Sequence, residues 1–600
     1  MERLVKVDHC KGFWARRLAH RTILAAAVLP VLGVSASLAQ PTDQQSVSAG
    51  CPGDNGGLTL APGFCATVFA DNIGHTRHMA IAPNGVVYAN TWSGEYYNND
   101  APHAGGFLVA LQDTKGDGHA DVIKRFDPTH AQGNAGGTGI AIYNNYIYAE
   151  TNDKIVRYPL PRQGGVPTTR PETVVSGMPL GGDHPMHPFA IDGRGNMYVD
   201  MGSATNACQR ENRIPDVPGN NPCRELRTRG GIWLFNANVL NQHFSPEQRF
   251  ATGLRNGEGL SFDSKNRIFA TQHGRDQLYE NWPKLYNQVS GQNEPAEELV
   301  QLTNGADFGW PECYYDLDQK KLVLAPEYGG DGGKKVGVCA QKTEPVAAFP
   351  AHWAPNDVQI YHGSQFPSDY KDGAFIAFHG SWNRAPGPQG GYNVVFQPLA
   401  HGKASGPFIV FADGFAGAIK TPGRADHRPT GLAIAPDGSL YISDDITGRI
   451  WHVTYHGPDQ THVAAAPNAA GQQQAASGNP PPPEGINPDA GGSLPVPPGG
   501  SPDQVALGDR IFHGEAAGGT CAGCHAADGR GTATGSDLRS GQWIWSDGSV
   551  AGIAHVIEIG VPKPKNHIGA MPPGGGAKLS QADISAVAGY VWAISHQNQH

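Results

Sequence analysis

One pattern recurs along residues 65–456 and limits the folds that this chain can adopt. A short apolar strand is followed by a turn rich in Pro, Asn, Asp or Gly, and then by a second apolar strand that often ends in an aromatic residue. Such turn residues tolerate positive φ and suit tight hairpins, and the flanking alternation is typical of half-buried strands. The pattern occurs six times, at 78–90, 139–150, 188–200, 259–271, 357–378 and 431–444.

Hairpins repeated at intervals of roughly fifty to a hundred residues indicate blades, each of which needs neighbours to bury its faces. We therefore expect an all-β six-bladed β-propeller over residues 48–456. A large β-sandwich with similar hairpins is the alternative. Composition agrees with an all-β body, because 80 glycines, 48 prolines and only 16% charged residues indicate many tight turns and few long surface helices. Six hundred residues also exceed what one core can hold, so a further domain is expected.

The first 39 residues have the features of an export signal. The apolar run 22–39 ends in small residues suited to cleavage. A retained membrane anchor is the alternative, but Pro30 and Gly33 interrupt a run that is short for a membrane span. We expect a mature protein that begins near Gln40, lacks a transmembrane segment and lies in the periplasm. Four basic residues precede the run: Lys11, Arg16, Arg17 and Arg21.

Cysteine usage agrees with an oxidising compartment. Apart from Cys10 in the signal and two cysteines near the C-terminus, six remain in the propeller region. Six cysteines allow fifteen connectivities, and pairing of sequence neighbours is the hypothesis that short loops favour; free buried thiols are the alternative. The neighbouring pairs are Cys51 with Cys65, Cys208 with Cys223, and Cys313 with Cys339.

The C-terminal segment carries Cys521, Cys524 and His525 as C-x-x-C-H. Two thiols one helical turn apart can add to the vinyl groups of a haem, and the histidine after them can bind its iron. Residues 457–502 contain almost no large apolar side chains and several prolines, which predicts a linker.

Residues 503–600 resemble class I cytochrome c, an all-α domain. Gly508 and Phe512 share one face of a predicted first helix, and the chain ends in a predicted helix with Tyr590 and Trp592. In this family the first and last helices cross. The resemblance implies a c-type haem whose iron is bound by His525 and Met571, a pairing that raises the reduction potential and suits electron transfer. An ordinary loop methionine, with His555 or His567 as the ligand, is the alternative.

The formal net charge of −10 and the lack of a basic stripe with interleaved aromatic residues argue against nucleic-acid binding.

Three polar stretches of the propeller region carry more chemistry than a scaffold needs. They are 178–209, which contains Asp183, His184 and His187; 251–283, which contains GLRNGEG and QHGRD; and 296–316, which contains ADFGWPECYYD. With FIAFHGSWNR and RPTGLAIAPDGSLYISDD, they make residues 60–456 similar to the glucose/sorbosone dehydrogenase family, closest to its sorbosone-dehydrogenase-like branch. That family consists of six-bladed propellers that oxidise sugars with pyrroloquinoline quinone (PQQ) and calcium.

The resemblance implies roles for individual residues. His184, preceded by Asp183, matches the base that takes the sugar hydroxyl proton, which is reasonable for an imidazole; hydrogen bonding of loop backbone by His184 and His187 is the alternative. Arg255 and Asn256 match the pair against the quinone, where a guanidinium stabilises developing negative charge.

Three further assignments concern the cofactor. The backbone of Gly274 and Arg275 matches the calcium loop, and Arg428 matches an arginine that binds cofactor carboxylates. The chain departs from the family at Thr430, where well-studied members have a second arginine, and around 379–384, where they have a lysine. There His379, Trp382 or Arg384 is the candidate replacement, with Trp382 stacking on a flat ring.

These features predict an exported dehydrogenase that oxidises a sugar or sugar-derived aldehyde and passes electrons through its haem to an external acceptor, such as a cytochrome or respiratory-chain component. A calcium-dependent lactonase, or a scaffold that presents the cytochrome to a redox partner, is the alternative. The acidic residues of 113–121 are spaced as in some calcium loops. The twelfth loop position, where a bidentate carboxylate is needed, is Lys124, which favours a bulged hairpin turn.

Overall fold

The computed structural model describes residue 51 and the ranges 53–91, 105–127, 137–384, 388–421, 424–457, 494–514, 516–519, 521–525, 529–531, 535–565 and 571–597. All of them belong to one compact unit, Ser48–His600. The predicted export signal, most of the predicted linker and His567 lie outside the described residues.

The six-bladed propeller is confirmed: the chain forms six antiparallel sheets of four main strands each. Two N-terminal strands, β1 (Thr59–Leu60) and β2 (Phe64–Ala70), join blades completed much later in the chain. Blade 1 contains β3 (Thr76–Ile81), β4 (Val87–Thr91), β5 (Leu108–Gln112) and β6 (Val122–Phe126). Blade 2 contains β7 (Ile140–Tyr143), β8 (Tyr146–Thr151), β9 (Lys154–Pro159) and β10 (Glu172–Ser176). Blade 3 contains β11 (Phe189–Ile191), β12 (Asn196–Met201), β13 (Gly231–Asn236) and β15 (Arg249–Thr252), and β14 (Gln242–His243) pairs with β10 at the edge of blade 2.

The remaining blades follow the same order of strands. Blade 4 contains β16 (Leu260–Phe262), β17 (Ile268–Gln272), β18 (Glu297–Gln301) and β21 (Ala347–Phe349). Blade 5 contains β22 (Pro355–Ile360), β23 (Ala374–Phe378), β24 (Asn393–Gln397) and β27 (Ile409–Asp413), with β1 at its edge. Blade 6 contains β28 (Pro429–Ile434), β29 (Leu440–Asp444), β30 (Ile450–Tyr455) and β2. Two small hairpins are added, β19 (Cys313–Asp316) with β20 (Lys321–Leu324) and β25 (Leu399–Ala400) with β26 (Lys403–Ala404).

Each of the six hairpins predicted from sequence forms the first two strands of a blade. The turn between β7 and β8 shows why. Tyr143 pairs with Tyr146 across a two-residue loop in which Asn144 and Asn145 have φ of 47° and 62°, a conformation that asparagine tolerates better than most residues.

Blade 6 closes the ring because β2, from the start of the propeller, pairs along β30, from its end. The closure is packed by aromatic rings. Phe64 of β2 lies with its ring centroid 4.8 Å from that of Phe366 and 4.8 Å from that of Phe411. Burying such rings contributes about 1.5–3 kcal/mol each, which holds the two ends of the propeller together.

The three predicted disulfides are present: Cys51–Cys65, Cys208–Cys223 and Cys313–Cys339. The second tethers the 203–230 excursion that follows β12, and the third links the β19–β20 hairpin to the segment after it. Two short helices, α1 (Leu278–Asn281) and α2 (Gln288–Asn293), follow β17. Short 3-10 turns occur at Asn55–Gly57, Glu225–Arg227, Pro246–Gln248, Pro326–Tyr328, Gly337–Gln341, Ser368–Tyr370 and Pro573–Gly576.

The C-terminal domain is helical, with α3 (Pro502–Phe512), α4 (Ala522–His525), α5 (Val550–Ile559) and α6 (Gln581–Ser595). The crossing of its first and last helices is as predicted. A Cβ added to Gly508 would lie 2.0 Å from the carbonyl oxygen of Ala586, so only glycine allows α3 to approach α6 this closely. The rings of Phe512 and Tyr590 meet at a centroid distance of 5.2 Å. In the described parts of the chain, every helix is too short or too polar to cross a membrane.

Candidate functional site

The polar residues singled out from the sequence meet where loops of blades 3, 4 and 5 converge. At their centre lies Asp276, in the loop after β17, with its residue only 8% exposed. Its Oδ2 accepts hydrogen bonds from Arg255 at 2.7 Å and from Arg213 at 3.0 Å. Its Oδ1 accepts one from the Asn383 amide at 2.9 Å. Four loops that are distant in sequence are therefore joined at one carboxylate.

The charges of this network fix the protonation of Asp276. Burial by itself would raise the pKa of Asp276, but Arg255 and Arg213 outweigh burial and hold that pKa well below its usual range. Arg255 is itself held rigidly, because its guanidinium also donates to the Asn206 backbone carbonyl at 3.1 Å, the Asn206 Oδ1 at 3.0 Å and the Gly274 carbonyl at 3.0 Å. The network is thus a fixed array of dipoles and charges.

His184 lies beside this network in the loop between β10 and β11. Its Nδ1 is 3.1 Å from the Ser203 carbonyl oxygen and 2.9 Å from the Ser203 hydroxyl. A carbonyl only accepts, so Nδ1 carries the hydrogen and Nε2 is left as the acceptor. Burial lowers the pKa of His184 well below 6.5, and the nearby positive charges of Arg255 and Arg213 lower it further. The ring is therefore neutral at physiological pH with a free lone pair on Nε2, as a proton acceptor requires.

Asp183, the candidate catalytic residue that precedes His184, lies in the charge network. The Asp183 carboxylate accepts hydrogen bonds from Arg213 Nε at 3.0 Å and from the Asn212 amide at 3.1 Å, so it belongs to the charge network. His187 is buried, and its Nδ1 and Nε2 lie 3.1 Å from Glu150 and from the Pro179 carbonyl. The contact with the Pro179 carbonyl is the hydrogen bond to loop backbone that the alternative for His187 describes.

Two buried amide oxygens near the network accept no hydrogen bond from any described residue: Asn256 Oδ1 and Asn383 Oδ1. A Cβ added to Gly202 would lie 2.5 Å from His184 Cβ and 3.2 Å from Asn256 Oδ1, so His184 and Asn256 flank the same stretch of backbone. Buried acceptors without partners cost free energy, which indicates a site that a ligand or water completes.

Arg428, at the start of blade 6, offers a positive charge for such a ligand. Its Nε and Nη2 donate to the carbonyls of His379 and Gly380 at 2.9 and 2.7 Å, and its guanidinium lies 5.5 Å from the centroid of the Tyr392 ring. Within the described ranges no carboxylate forms an ion pair with it. Arg428 is therefore suited to an anion, and with His184 and Asn256 it fits a planar, carboxylate-bearing cofactor such as PQQ.

The backbone expected to bind calcium is otherwise engaged. The Gly274 carbonyl accepts from Arg255, and the Gly274 amide donates to Glu297 at 2.8 Å. The Arg275 side chain forms a buried ion pair with Glu327 at 2.6 Å. A guanidinium on the same carbonyl opposes a divalent cation, so the residues present do not fit a calcium ion at Gly274.

Among the described residues, one group of side chains brings three potential metal-ligand atoms together, Cys208, Cys223 and Glu225, and its two cysteines are joined in a disulfide. The 113–121 stretch forms the hairpin turn between β5 and β6, as favoured above. There Asp113 accepts from the amides of Gly116 and Gly118 at 2.7 and 2.8 Å.

In the 379–384 loop, the side chains of His379 and Arg384, two candidates for the role of the family's cofactor lysine, are engaged in contacts within the protein. His379 Nε2 lies 2.8 Å from Asp445. Arg384 donates to the Gln292 carbonyl at 2.6 Å and the Ala351 carbonyl at 3.0 Å, so it clamps this loop to the end of α2. Trp382 is half-buried, and its carbonyl faces the helical domain, 3.6 Å from where a Cβ on Gly514 would lie.

The haem motif forms α4 and lines a cavity with an empty volume of about 1180 Å³, including the part open to solvent. Cys521 and Cys524 form no disulfide with a described residue and line the cavity together with His525 and Met571. His525 Nδ1 lies 2.9 Å from the Ser536 carbonyl oxygen, which fixes Nε2 as the metal-binding nitrogen.

Met571 also lines the cavity and forms a backbone bridge with Val561. His555, the alternative ligand, is exposed on α5 and does not line the cavity. The residues therefore fit a c-type haem, which Cys521 and Cys524 would attach and whose iron His525 and Met571 would bind.

Sequence reasoning missed the residues that organise the propeller site: Asn206, Arg213, Asp276, Ser203 and Asn383. Ser203 had a weak signal, since it follows a buried strand in MGSATN. Asn206, Asp276 and Asn383 stand in stretches singled out from the sequence, 178–209, QHGRD and HGSWNR, but their roles were missed because their partners lie in other blades. Arg213 lies outside those stretches and gave no signal.

Comparison with known proteins agrees with this architecture. The TrAA12-like family model matches residues 58–456, and the cytochrome c model matches residues 505–595. A Coprinopsis cinerea protein named pyrroloquinoline quinone-dependent pyranose dehydrogenase is 28% identical over 233 residues, which cover 33% of this chain and 30% of the relative. An uncharacterized protein of Borreliella burgdorferi is 28% identical over 219 residues, 36% of this chain and 51% of the relative. The aligned part is thus about half or less of each curated relative.

Two solved structures share the propeller fold. A Trichoderma reesei carbohydrate-active enzyme of family AA12 superposes with a TM-score of 0.52 at 20% identity, covering 66% of this chain and 98% of that one. The PQQ domain of pyranose dehydrogenase from Coprinopsis cinerea, in its holo form, gives a TM-score of 0.51 at 20% identity, covering 66% and 97%. At this identity the two structures support the fold alone. Because the family model spans two thirds of the sequence, this chain belongs to the TrAA12-like family and carries a cytochrome c domain after its propeller.

Proposed function

We propose that this chain is an exported, periplasmic quinohaemoprotein dehydrogenase that oxidises a sugar or sugar-derived aldehyde with PQQ and passes the electrons to its own c-type haem. The observation that carries the proposal is the tautomer of His184. Its Nδ1 is committed to Ser203, and Nε2, which bonds none of the described residues, lies near Arg255 and Arg213. Membership of the TrAA12-like family and the similarity to a protein named as PQQ-dependent support PQQ as the cofactor.

Each residue of the site has a distinct task in this reaction. His184 Nε2 takes the proton of the substrate CH–OH group. Arg428 binds a carboxylate of the cofactor, and Arg255 and Asn256 orient its quinone face. Asp276 holds Arg255 and Arg213 in place and keeps their charges partly compensated. PQQ, when bound, supplies a quinone that accepts a hydride.

The electrons must leave one at a time. Oxidation of one CH–OH group to C=O releases two electrons and two protons, whereas a haem iron takes one electron as it goes from ferric to ferrous. Each substrate therefore requires two transfers to the haem and two re-oxidations by an external one-electron acceptor, such as another cytochrome. Fusion of the two domains replaces a bimolecular first transfer by an intramolecular one.

The test uses purified full-length protein with haem attached and no PQQ. PQQ is added with and without calcium, followed by a panel of aldoses, sorbosone and simple alcohols, and haem reduction is followed by its absorbance. Reduction that requires PQQ and one class of substrate is the expected result. His184→Ala should abolish it while leaving PQQ binding measurable. His362→Ala is the matched control, because His362 is exposed and bonds only the Phe262 carbonyl among its described hydrogen bonds.

The other outcomes separate the alternatives. If PQQ does not bind and no substrate reduces the haem, the propeller acts as a hydrolase or as a docking scaffold, and the dehydrogenase proposal is wrong. Among the described residues, the one cluster of three His, Cys, Asp or Glu ligand atoms is the disulfide-linked one, so the metal-dependent hydrolase gains no support from such a cluster.

A further inference from the structure

The helical domain lies against the propeller through a buried ion pair. Arg424, in the loop that precedes blade 6, donates to Asp509 of α3 at 2.7 Å. Both side chains are only 6% exposed. Within the helical domain, His513 Nδ1 bonds the Asp509 backbone carbonyl at 2.8 Å and lies 2.9 Å from its other carboxylate oxygen. A buried pair of this kind is costly to break because removal of one partner leaves the other charge desolvated.

A second group of contacts lies beside the haem cavity. Lys578, just before α6, has its ammonium 4.9 Å from the centroid of the Tyr279 ring on α1, a distance typical of a cation–π contact. Gly576 lies so close to the propeller that an added Cβ would be 2.3 Å from the Gln277 side-chain nitrogen. The propeller therefore contacts the helical domain at two separate places, which fixes its orientation as well as its position.

This orientation brings the haem attachment site to the candidate active site. Cys524 lies close enough to Arg213 for the two to interact electrostatically. Arg213 in turn donates to Asp183 and Asp276, and Asp276 accepts from Arg255. The contacts themselves run through Gln277. It packs against Gly576, the neighbour of the cavity-lining Gly575, and its Oε1 accepts a hydrogen bond from Arg213 at 3.1 Å.

We propose that the Arg424–Asp509 ion pair is a latch that docks the cytochrome domain on the propeller with Cys524 beside Arg213, and that electrons leave the active site through this docked arrangement. The inference rests on the proposed function, because it concerns the route from that site to the haem. It goes beyond that function by naming the docking surface and the residues that set it.

The docked arrangement is tested first without PQQ or substrate. Small-angle X-ray scattering of the full-length, haem-containing protein measures its radius of gyration. Arg424→Glu should enlarge the radius, and the exchange Arg424→Asp with Asp509→Arg should restore it. Arg449→Glu is the matched control, because Arg449 pairs with Asp71 at 2.6 Å within the propeller. If Arg424→Glu fails to fold, Asp509→Asn tests the same ion pair, because asparagine has the shape of aspartate but no charge. An unchanged radius in a folded variant overturns the latch.

The electron route is tested next with PQQ and a substrate that the preceding assay identifies. Single-turnover haem reduction should be at least about tenfold slower in Arg424→Glu, as expected when an oriented, intramolecular contact is lost. Reduction of a small artificial dye, which takes electrons without the haem, should be unchanged in the same variant. Equal haem reduction in variant and parent overturns the proposed route. If the parent reduces neither haem nor dye, the dehydrogenase proposal fails, while the scattering result still decides whether the latch exists.

Discussion

Asp276→Asn is the substitution that most directly tests the site described above. Asparagine keeps the shape and the hydrogen-bond acceptor but removes the charge that Arg255 and Arg213 share at 2.7 and 3.0 Å. Arg213 retains Asp183, whereas Arg255 keeps only neutral acceptors among its described hydrogen bonds. Loss of one partner from a buried pair costs about 3–5 kcal/mol, and we expect this loss here because Arg255 is 3% exposed.

That free energy translates into a measurable change of melting temperature. With about 2.1 cal/mol/K of unfolding entropy per residue, a propeller of about 400 residues gains about 0.8 kcal/mol/K on unfolding. A loss of about 3–5 kcal/mol therefore lowers the propeller transition by about 4–6 °C, which differential scanning calorimetry resolves.

The control is Asp216→Asn. Asp216 pairs with Lys284 at 3.1 Å, but their side chains are 51% and 80% exposed, and such pairs contribute under about 1 kcal/mol. Asparagine also tolerates the positive φ of 60° at this position. If Asp276→Asn lowers the transition no more than Asp216→Asn does, the assignment of Asp276 as the charged centre of the network is wrong.

Comparison of the parent protein with Asp276→Asn also gives a pH test, in which the direction of the change in stability is known. The pKa of Asp276 is depressed in the folded state, so its stabilisation is present above the unfolded-state pKa of 3.8 and is lost as the pH falls through the lower folded value. The difference in stability between parent and Asp276→Asn should therefore stay constant at neutral and weakly acidic pH and shrink only under more acidic conditions. A difference that shrinks near neutrality would assign the effect to another group.

Three further predictions concern the base, the haem and the helix crossing. Because burial holds the pKa of His184 well below 6.5, its ring stays unprotonated as the pH falls through that value. The pH profile of kcat/KM in the parent enzyme should therefore show no acid limb centred at 6.5, and such a limb would contradict the assignment of a buried, neutral His184 as the base. Met571→Leu should leave the haem covalently attached but lower its reduction potential in voltammetry, since methionine ligation raises the potential, whereas an unchanged potential would return the ligand to another residue. Gly508→Ala should destabilise the helical domain by about 1–3 kcal/mol through overpacking against Ala586, measured by chemical denaturation of the haem signal, with Gly406→Ala as the control because an added Cβ there meets nothing within 4 Å.

The fold was predictable because its signals are local. The six hairpins are specified by turn residues and strand alternation within about a dozen residues, and the disulfides join cysteines 14, 15 and 26 residues apart. The haem motif is likewise contiguous. The crossing of α3 and α6 was implied by the resemblance to class I cytochrome c, for which Gly508 and Phe512 one helical turn apart were part of the pattern; in the structure Phe512 meets Tyr590.

The propeller site was only partly predictable. His184 was found by a motif, but its Ser203 partner was not, and the neighbouring Asp183 contacts Arg213 instead. Arg275 and Arg384 fall in motifs associated with the cofactor, yet the structure commits them to Glu327 and to the end of α2. A motif identifies a residue type at a position, whereas the direction of a long side chain depends on carboxylates and carbonyls supplied by other blades.

The docking surface is the part of the structure that depends most on partners distant in sequence, and it was the least predictable. In sequence, Arg424 is one charge in a loop and Asp509 is one charge on an amphipathic helix, and each would be expected to lie in solvent. Only the approach of the propeller and the helical domain, 85 residues apart at these positions, removes both charges from water, and burial then makes each of them dependent on the other. If the pair docks the two domains as proposed, the interaction least visible in the sequence sets the distance that electrons travel. Charge exchange between Arg424 and Asp509 therefore tests the structure at the point where sequence reasoning contributed nothing.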